Sequence, residues 1–380
     1  MTAQQVSRST HHLAELDGIR AIAVSLVLLS HTAEPWFPGG WIGVDLFFVL
    51  SGFLITSVLL RERWKTGRIS LRNFYVRRTL RLMPALVVLL VVYSVIPPFR
   101  NLPGYFWPVL FSAFYVMDWV EAFDLGPQQY LPHTWSLGVE EQFYLLWPAV
   151  LIFLLPRFKL RGRLLALTGI IVVIMAWRTG LIIEGASGQR TYYAFDTRLD
   201  TILIGCALAL WLAEGKASSR LAFIAAKAAP WLMAAVFAIA VMYETQPDLN
   251  AGHSLFLNTI GFTLLACLCA AIILGAVNGE PQTMMNVVLA SAPLVYLGRI
   301  SYGVYLWHYP VLAFLTNIRN PWLMVASTFL LSIAVASVSF FLLERPFLRL
   351  KERFSAIDDS FPVQSEEIVP SAPSTIPKSA

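Results

Sequence analysis

Ionisable side chains interrupt several apolar stretches of this sequence, and their types and spacing suggest proton chemistry. Arg20 and His31 lie eleven residues apart in the first stretch, so on a helix they share nearly the same face and are separated by roughly 16 Å. Histidine suits the work of a general base because its unperturbed pKa is near neutrality. The alternative is a snorkelling arginine and an interfacial histidine without a chemical role.

Carboxylates and a second histidine fall in the second and fourth apolar stretches. Asp45 lies in the outer third of the second stretch, where it is either part of a site or a structural partner for a neighbouring Arg or His. At the start of the fourth stretch, His133 and Glu140 share a face if the segment is helical. Glu140 and Glu141 are adjacent, and helix capping accounts for one of them but hardly for both.

Two further stretches carry polar side chains at helical spacing. Arg198 and Asp200 open the sixth stretch, and Ser301, Tyr305 and His308 share one face of the ninth at positions i, i+4 and i+7. By the topology inferred below, the histidines and carboxylates of these stretches lie in the outer half of the membrane. Several such groups at one depth predict a proton-handling site.

A cluster of arginines precedes the third stretch. Arg77, Arg78 and Arg81 lie just before it, with Arg68 and Arg72 upstream. Arginine pairs with phosphate in a bidentate manner, so the cluster is a candidate clamp for a phosphorylated ligand. The alternative is that these residues only mark the cytoplasmic side, as basic loop residues do in membrane proteins.

The composition requires a membrane. Of the 380 residues, 57% are hydrophobic and 13% are charged, whereas a soluble domain carries about 25% charged residues. No cleavable signal peptide is evident at the start, so the first apolar stretch should stay in the membrane. The net charge of +5 is not a nucleic-acid signal, because the basic residues cluster between the apolar stretches. The three cysteines lie inside apolar stretches and fit neither a disulfide framework nor a metal site: Cys206, Cys267 and Cys269.

The expected fold is all-α, a polytopic membrane protein with about ten transmembrane helices plus a re-entrant segment. A spanning helix needs roughly 20 apolar residues. The further stretch 105–119 is short and starts after Pro103 and Gly104, which suits a segment that does not cross. The expected spans are 16–33, 41–60, 84–99, 136–155, 164–183, 199–213, 222–243, 255–276, 294–315 and 322–343.

Lysine and arginine residues set the orientation of these spans. The loop 61–83 holds eight of them and the turn 156–163 holds four, so both are expected on the cytoplasmic side. Two spans already separate these loops, so 105–119 should dip into the membrane and return, or lie at the interface. Both termini are then cytoplasmic. The chain divides into a cytoplasmic N-terminal tail at 1–15, a membrane domain at 16–350 and a disordered cytoplasmic tail, rich in Ser, Pro and acids, at 351–380.

Seven segments of the chain occur in the order found in one family of membrane enzymes. Over about residues 16–350 the sequence resembles the membrane-bound acyltransferase-3 superfamily of bacterial O-acyltransferases. Some members carry a fused hydrolase-like domain, and this chain is expected to be the stand-alone form. The matching segments are LDGIRAIAVSLVLLSH (16–31), GVDLFFVLSGFLIT (43–56), FYVRRTLRLMPAL (74–86), HTWSLGVEEQFYLLWP (133–148), RLDTILIGCALA (198–209), LGRISYGVYLWHYPVL (297–312) and ERPF (344–347).

The resemblance implies a donor, an acceptor and a location. Family members take acyl groups, usually acetyl, from cytoplasmic acyl-CoA and deliver them to surface polysaccharides, lipopolysaccharide, peptidoglycan, lipo-oligosaccharides or macrolides. The expected setting is the bacterial inner membrane, surrounded by lipids, with acyl-CoA as co-substrate. No permanently bound cofactor, no metal and no nucleic-acid partner are expected. The family's Arg-(ten residues)-His motif matches Arg20 and His31, and its Arg-Arg-x-x-Arg motif, assigned to the CoA donor, matches Arg77, Arg78 and Arg81.

The expected mechanism uses His31 as the general base, which draws a proton from a sugar hydroxyl that attacks the thioester carbonyl. Asp45 or Glu140 could orient the imidazole, and His133 is a further catalytic candidate. Direct transfer and an acyl-enzyme relay are both open. The residues expected to bind substrates are Arg20, Arg77, Arg78, Arg81, Trp135, Glu141, Arg198, Asp200, Tyr305 and His308.

The competing interpretation is a membrane transporter or exporter of a glycan or small molecule. Ten spans with histidines and carboxylates inside the membrane would also suit a proton-coupled carrier. Transporters usually show internal repeats with broken helices in matching halves, and no repeat is evident in this sequence. The ordered segments therefore favour the enzyme.

Overall fold

The chain folds into helices throughout the part that can be described. In the computed structural model these residues are 14–33, 36–96, 104, 106–126, 131–213, 219–242, 255–352 and 354. Within this part the structure contains helices and no strand. The tails expected at 1–15 and 351–380 lie almost wholly outside the described residues.

The described residues form sixteen α-helices and three short turns of other helical types. A 3-10 turn, Pro132–Thr134, leads into α6, and two π-helical turns, Leu257–Gly261 and Phe340–Glu344, lead into α11 and α16. The α-helices are α1 (Ala14–Thr32), α2 (Ile42–Thr66), α3 (Leu71–Val95), α4 (Phe106–Ala113), α5 (Met117–Phe123), α6 (Trp135–Arg157), α7 (Leu160–Ile183), α8 (Gly188–Tyr193), α9 (Phe195–Ala213), α10 (Ser219–Met242), α11 (Phe262–Asn278), α12 (Met284–Leu289), α13 (Ala292–Arg299), α14 (Ser301–Phe314), α15 (Pro321–Ser339) and α16 (Arg345–Glu352).

Seven segments of the described chain are long and apolar enough to cross a membrane, which confirms the expected all-α polytopic membrane fold. The other three expected spans correspond to α1, α9 and the pair α13–α14. The first two have 19 residues and acidic residues in the first turn, and the pair is interrupted at Ile300. The count of ten therefore stays a prediction. The seven segments are Ile42–Thr66, Leu71–Val95, Pro132–Arg157, Leu160–Ile183, Arg220–Met242, Leu257–Asn278 and Pro321–Lys351.

The stretch expected to dip into the membrane forms two short helices, α4 and α5. They contain eight and seven residues, so their lengths are about 12 and 10 Å, far short of the ~30 Å hydrocarbon core. Tyr115 between them has a φ of 55°, and a residue in this left-handed conformation interrupts a helix. Neither helix alone could cross a bilayer, in agreement with the even number of crossings expected from the basic loops.

Arg77, Arg78 and Arg81 lie on a helix rather than in the loop expected at 61–83. α2 continues to Thr66, where Gly67 terminates it in the left-handed conformation with a φ of 75°. The side chain of Ser70 then caps α3, which runs for 25 residues and includes Pro84. The expected loop was too long because the span was assumed to begin after the last arginine. Long arginine side chains can extend along a helix surface toward polar partners, so their charge did not end the helix.

The close packing of α2 against α9 forms the centre of the core. Gly52 lies against the carbonyl of Ile202, and Gly205 lies against the carbonyl of Val49. A Cβ atom at either glycine would stand 2.0 Å from the carbonyl oxygen. Small residues at such positions let two helix backbones approach closely inside a membrane. This approach brings Asp45, near the start of α2, to the start of α9.

Candidate active site

Three histidines from distant parts of the chain form a cluster, here called the histidine cluster. The ring of His308 on α14 lies 5.2 Å from that of His31 at the end of α1 and 5.2 Å from that of His133 in the 3-10 turn, measured between ring centroids. Tyr309 packs against all three histidines, at 5.2 Å from His31, 4.8 Å from His133 and 5.3 Å from His308. The three histidines, which the sequence placed at a similar depth in the membrane, are therefore in contact in the structure.

Each histidine of the cluster has one ring nitrogen next to a backbone carbonyl oxygen. A carbonyl oxygen only accepts hydrogen bonds, so that nitrogen carries the proton and the other nitrogen of a neutral ring does not. The second ring nitrogens of His133 and His308 have no partner among the described residues. The three contacts are His31 Nδ1 to Val27 O at 2.9 Å, His133 Nε2 to Leu306 O at 3.2 Å and His308 Nδ1 to Tyr305 O at 2.5 Å.

His31 is the member of the histidine cluster that a substrate can reach. Its side chain is exposed although its ring contacts those of His308 and Tyr309. By contrast, His133 is 3% exposed and His308 is fully buried. A general base must come within hydrogen-bond distance of the proton that it removes. Since Nδ1 of His31 faces the carbonyl of Val27, Nε2 is the atom that can accept a proton.

A second polar group, here called the arginine cluster, lies toward the other end of α1. It contains Arg20, Arg78 and Arg81, and all three are partly exposed. The guanidinium groups of Arg20 and Arg78 repel that of Arg81, so the three lie close together. Arg20 precedes His31 by eleven residues, which is a rise of about 16 Å along the helix. Three neighbouring cations at a partly exposed position form a suitable site for an anion such as phosphate.

Glu140 belongs to the arginine cluster rather than to the histidine cluster. Its carboxylate accepts hydrogen bonds from the hydroxyl groups of Ser51 at 2.8 Å and Tyr144 at 3.0 Å. Arg78 attracts its charge, and also that of Glu141. The guanidinium of Arg78 lies 3.8 Å above the Tyr144 ring. The contacts of Glu140 therefore position an arginine, and they do not reach the imidazole that Glu140 was expected to orient.

Arg77 is not part of the arginine cluster although it adjoins Arg78 in the sequence. Its Nη2 atom lies 2.8 Å from Oε2 of Glu62, and its Nη1 atom donates to the carbonyl of Phe354 at 2.8 Å. Glu62 is buried and also accepts the backbone N–H of Ser70 at 2.9 Å. Successive residues of a helix point about 100° apart, which separates the two arginines. Arg77 thus joins α2, α3 and the segment that follows α16.

Two buried ion pairs contain the other charged candidates. Arg198 Nη2 lies 2.6 Å from Asp45 Oδ1, and Arg178 Nη1 lies 3.1 Å from Asp200 Oδ1, with all four side chains fully buried. These pairs join α2 to α9 and α7 to α9. Asp45 is thus held by an arginine, and within the described residues it makes no hydrogen bond to His31, whose imidazole is oriented by a carbonyl of its own helix.

Trp135 and Tyr305 lie next to the histidine cluster but are buried. The Trp135 ring packs against Tyr192 and Tyr193 with centroid distances of 5.1 Å. The hydroxyl of Tyr305 donates to the carbonyl of His133 at 2.6 Å. These contacts hold the 3-10 turn and α8 in place. That either residue touches a substrate stays a prediction.

Three residues near these groups were not expected from the sequence. Tyr309 follows His308, and selecting one helix face at i, i+4 and i+7 passed over it. Glu344 is buried and attracts Arg81, but it lies just beyond the last expected span. Glu121 lies on α5, two residues beyond the stretch 105–119 that was expected not to cross the membrane. An acidic residue at the edge of an apolar stretch was the signal that could have identified the last two.

Comparison with known proteins gives consistent matches. A family model described as an acyltransferase domain matches residues 13–344. The peptidoglycan O-acetyltransferase OatA of Listeria monocytogenes is 34% identical over 365 residues, which cover 89% of this chain and 56% of that protein. The putative peptidoglycan O-acetyltransferase YrhL of Bacillus subtilis is 35% identical over 363 residues, with coverage of 89% and 56%. The O-acetyltransferase OatA of Staphylococcus aureus is 34% identical over 361 residues, with coverage of 89% and 57%.

The chain spans a little over half the length of these relatives. No solved structure matches it. The family model covers both polar clusters, from Arg20 to His308, and almost the whole of the expected membrane domain. The resemblance found in the ordered segments is thereby confirmed, and the chain belongs to the membrane-bound acyltransferase-3 family.

Proposed function

We propose that the protein is an O-acyltransferase that transfers an acyl group, acetyl in the simplest case, from acyl-CoA to a hydroxyl group of a carbohydrate. The observation that carries this proposal is the arrangement along α1. The accessible His31 stands at one end beside two other histidines. Arg20 stands about 16 Å away in the arginine cluster. One end suits proton removal and the other suits the binding of phosphate.

The donor would bind with its phosphate groups at Arg20, Arg78 and Arg81. Acyl-CoA carries its phosphates at one end of the molecule and its thioester at the far end of the pantetheine arm. With the phosphates in the arginine cluster, the arm would extend along α1 and bring the thioester to His31. Tyr144 lies against the guanidinium of Arg78 and would hold it in position. Acyl-CoA is thus a co-substrate that leaves as CoA after each turnover.

The chemical step uses the unprotonated Nε2 atom of His31. This atom accepts the proton of the sugar hydroxyl while the hydroxyl oxygen attacks the thioester carbonyl carbon. The C–S bond breaks when the tetrahedral intermediate collapses, and the departing CoA thiolate takes up the proton from His31. The carbonyl of Val27 keeps the imidazole in the tautomer that this step needs. A general base of this kind accelerates a reaction by typically 10²–10⁴-fold.

The relatives support a glycan as the acceptor. Two of the three are named as peptidoglycan O-acetyltransferases, one of them putatively. The first acceptor to test is therefore a peptidoglycan strand. Surface polysaccharide, lipopolysaccharide and lipo-oligosaccharide are the other glycans that offer suitable hydroxyl groups.

The proposed location is the bacterial inner membrane, with both termini in the cytoplasm. Arg20 lies near the start of α1 and His31 near its end. In this orientation the arginine cluster faces the side where acyl-CoA is made, and the histidine cluster lies toward the side where surface glycans are found. The basic residues of the loops expected in the cytoplasm support the same orientation.

The activity can be tested with purified protein in lipid nanodiscs. Acetyl-CoA with a labelled acetyl group is supplied together with a tetrasaccharide of alternating N-acetylglucosamine and N-acetylmuramic acid. We expect label to move to the glycan, and the rate to fall by about 10²–10⁴-fold in His31→Ala. Thr32→Val is the matched control, because among the described residues the Thr32 hydroxyl bonds only the carbonyl of Leu28 in its own helix, at 2.7 Å. Wild-type protein that neither transfers nor hydrolyses the label would contradict the proposal.

A further inference from the structure

A buried carboxylate outside both polar clusters lies beside Tyr309. Glu121 on α5 is 3% exposed. α5, which carries Glu121, packs against α8, which carries Tyr193, and the charge of Glu121 also acts on the phenol groups of Tyr193 and Tyr309. The Tyr309 ring in turn packs against those of His31 and His133. A single aromatic side chain therefore connects Glu121 to the proposed general base.

Glu121 differs from Asp118, the other buried carboxyl group of α5. Asp118 is anchored through its Oδ1 atom, which accepts a hydrogen bond from Gln142 at 2.9 Å, while the same amide donates to the carbonyl of Tyr115 at 3.0 Å. Only its Oδ2 atom is buried without a partner among the described residues. Glu121 lacks such an anchor in the described part of the chain, where its Oε1 atom is buried without a partner. A buried polar atom without a hydrogen bond is unfavourable, and a donor supplied by a ligand would satisfy it.

The electrostatic surroundings of Glu121 leave it available for such a ligand. Burial raises the pKa of Glu121 to about 7, and the nearby Asp124 carboxylate acts in the same direction. Within the described residues no lysine, arginine or histidine pairs with it. Arg190 on α8 is paired with Asp196 and lies over the ring of Phe123 at 5.2 Å. A neutral hydroxyl donor therefore suits Glu121 better than a cationic group does.

The neighbouring rings suit a sugar. Tyr193 and Tyr309 are partly exposed, so a ligand can reach these two rings, whereas the Glu121 carboxylate is buried and would bond a sugar hydroxyl only after the side chains that cover it move aside. Aromatic side chains offer apolar faces with a polar handle, and small-molecule sites combine such rings with a few placed polar groups. Tyr309 also borders His31, so a sugar against these rings would have hydroxyl groups close to the base.

We propose that Glu121 binds the carbohydrate acceptor, by accepting a hydrogen bond from a sugar hydroxyl adjacent to the one delivered to His31. This inference rests on the proposed function and adds a specificity-determining residue to it. The carboxylate would select acceptors that carry this second hydroxyl, because a site built to bond a hydroxyl strongly rejects an analogue without it. The rings of Tyr193 and Tyr309 would flank the sugar.

The test compares Glu121→Ala and Glu121→Gln with the wild type in nanodiscs at pH 8, where the carboxyl is mainly ionised. The probe is the tetrasaccharide of N-acetylglucosamine and N-acetylmuramic acid, with acetyl-CoA as donor. In E121A the Kd and KM for the glycan should rise about ten- to hundredfold, which corresponds to a lost charge-assisted hydrogen bond. E121Q should show a smaller rise. The KM for acetyl-CoA and the melting temperature should not change.

The matched control is Asp124→Asn, which removes an exposed carboxylate one turn away and should alter neither constant. Monodeoxy forms of the tetrasaccharide identify the bond itself. One of them should bind the wild type more weakly than the parent glycan does. The same deoxy form and the parent glycan should bind E121A with equal affinity. If E121A does not fold, E121Q and the deoxy series decide. A deoxy series that affects the wild type and E121Q equally overturns the inference.

The failure of this inference can be separated from the failure of the proposed function. Wild-type protein that transfers acetyl while E121A keeps the wild-type Kd and KM for the glycan overturns the role of Glu121 alone. Wild-type protein that binds the glycan without transferring acetyl overturns the proposed function, and the Kd values still decide the role of Glu121. Wild-type protein that does not bind the glycan overturns the inference.

Discussion

The histidine cluster and the buried ion pairs are both polar groups inside a helical membrane domain, but they use their atoms differently. In the pair Asp45–Arg198, opposite charges lie 2.6 Å apart with no exposed surface. In the histidine cluster each ring places one nitrogen against a backbone carbonyl. The second nitrogen has no partner among the described residues in His133 and His308, and His31 is an exposed residue.

This difference separates side chains that hold helices together from side chains that can do chemistry. Removing one member of a buried ion pair leaves an uncompensated charge, so the pair ties its helices together. Both side chains of the Asp45–Arg198 pair are fully buried, so a substrate cannot reach their charges. An imidazole nitrogen without a proton or a partner can instead accept a proton from a substrate. Accessibility therefore makes the exposed His31 the candidate for the chemical step, and the buried Asp45 and Arg198 candidates for holding the helices together.

The largest expected effect is on His31. His31→Gln keeps the size and polarity of the side chain but cannot take the proton, so kcat should fall by about 10²–10⁴-fold. Steady-state kinetics with acetyl-CoA and the glycan measures the change, and thermal melting in nanodiscs should show that the fold is retained. If H31Q keeps its activity while His133→Gln or His308→Gln abolishes it, the base is the other histidine. Retained activity in all three variants would show that no histidine of the cluster is the base, and that the cluster does not differ from the ion pairs in this way.

The ion pair should respond in stability rather than in the chemical step. Arg198→Met leaves Asp45 buried and unpaired, which should lower the free energy of unfolding by about 3–5 kcal/mol. Equilibrium unfolding in detergent measures the loss, and kcat per folded molecule should stay close to that of the wild type. The control is Asp196→Asn in the partly exposed pair with Arg190, which should cost at most about 1 kcal/mol. A well-folded R198M protein with a kcat lowered a hundredfold would show that the ion pair takes part in the chemical step.

Arg77 and Arg78 belong to one motif, yet one is expected to stabilise the fold and the other to bind the donor. Arg78→Ala should raise the KM for acyl-CoA about ten- to hundredfold, as expected for the loss of a charge-assisted hydrogen bond to phosphate. Arg77→Ala removes the contact with Glu62, so it should lower the melting temperature and leave this KM nearly unchanged. Kinetics at varied acyl-CoA concentration compares the two. An equal rise of KM in both variants would place Arg77 in the donor site as well.

The smallest expected effect is on Tyr305. It is buried like the ion pairs, but it contacts the histidine cluster. Tyr305→Phe removes the hydrogen bond to the carbonyl of His133, so the free energy of unfolding should fall by about 1 kcal/mol. Because the 3-10 turn that carries His133 is also held by other contacts, kcat should fall less than tenfold. Melting curves and initial rates together measure both effects. A loss of activity as large as that of H31Q would show that Tyr305 touches the reacting groups.

Local features of the chain were sufficient for the helices and for part of the site. Apolar stretches of about 20 residues predicted the spanning helices, and seven of them are found. The counting of basic loops predicted that 105–119 does not cross, and this stretch forms two helices that are too short to do so. His31 stood out because an ionisable residue in an apolar stretch is costly. The start of α3 was predicted too late in the chain, because its arginines were taken to lie outside the span.

The partners of the polar residues were decided only by the tertiary structure. Asp45 and Arg198 are 153 residues apart in the chain, and Ser51 and Glu140 are 89 residues apart. Hydropathy and helical periodicity act over neighbouring residues, so they show that a buried charge needs a partner without showing which one it has. Helix packing, here the close contact of α2 with α9, chooses the partner. For that reason the sequence alone could identify His31, but only the folded chain separates it from the ion pair of Asp45.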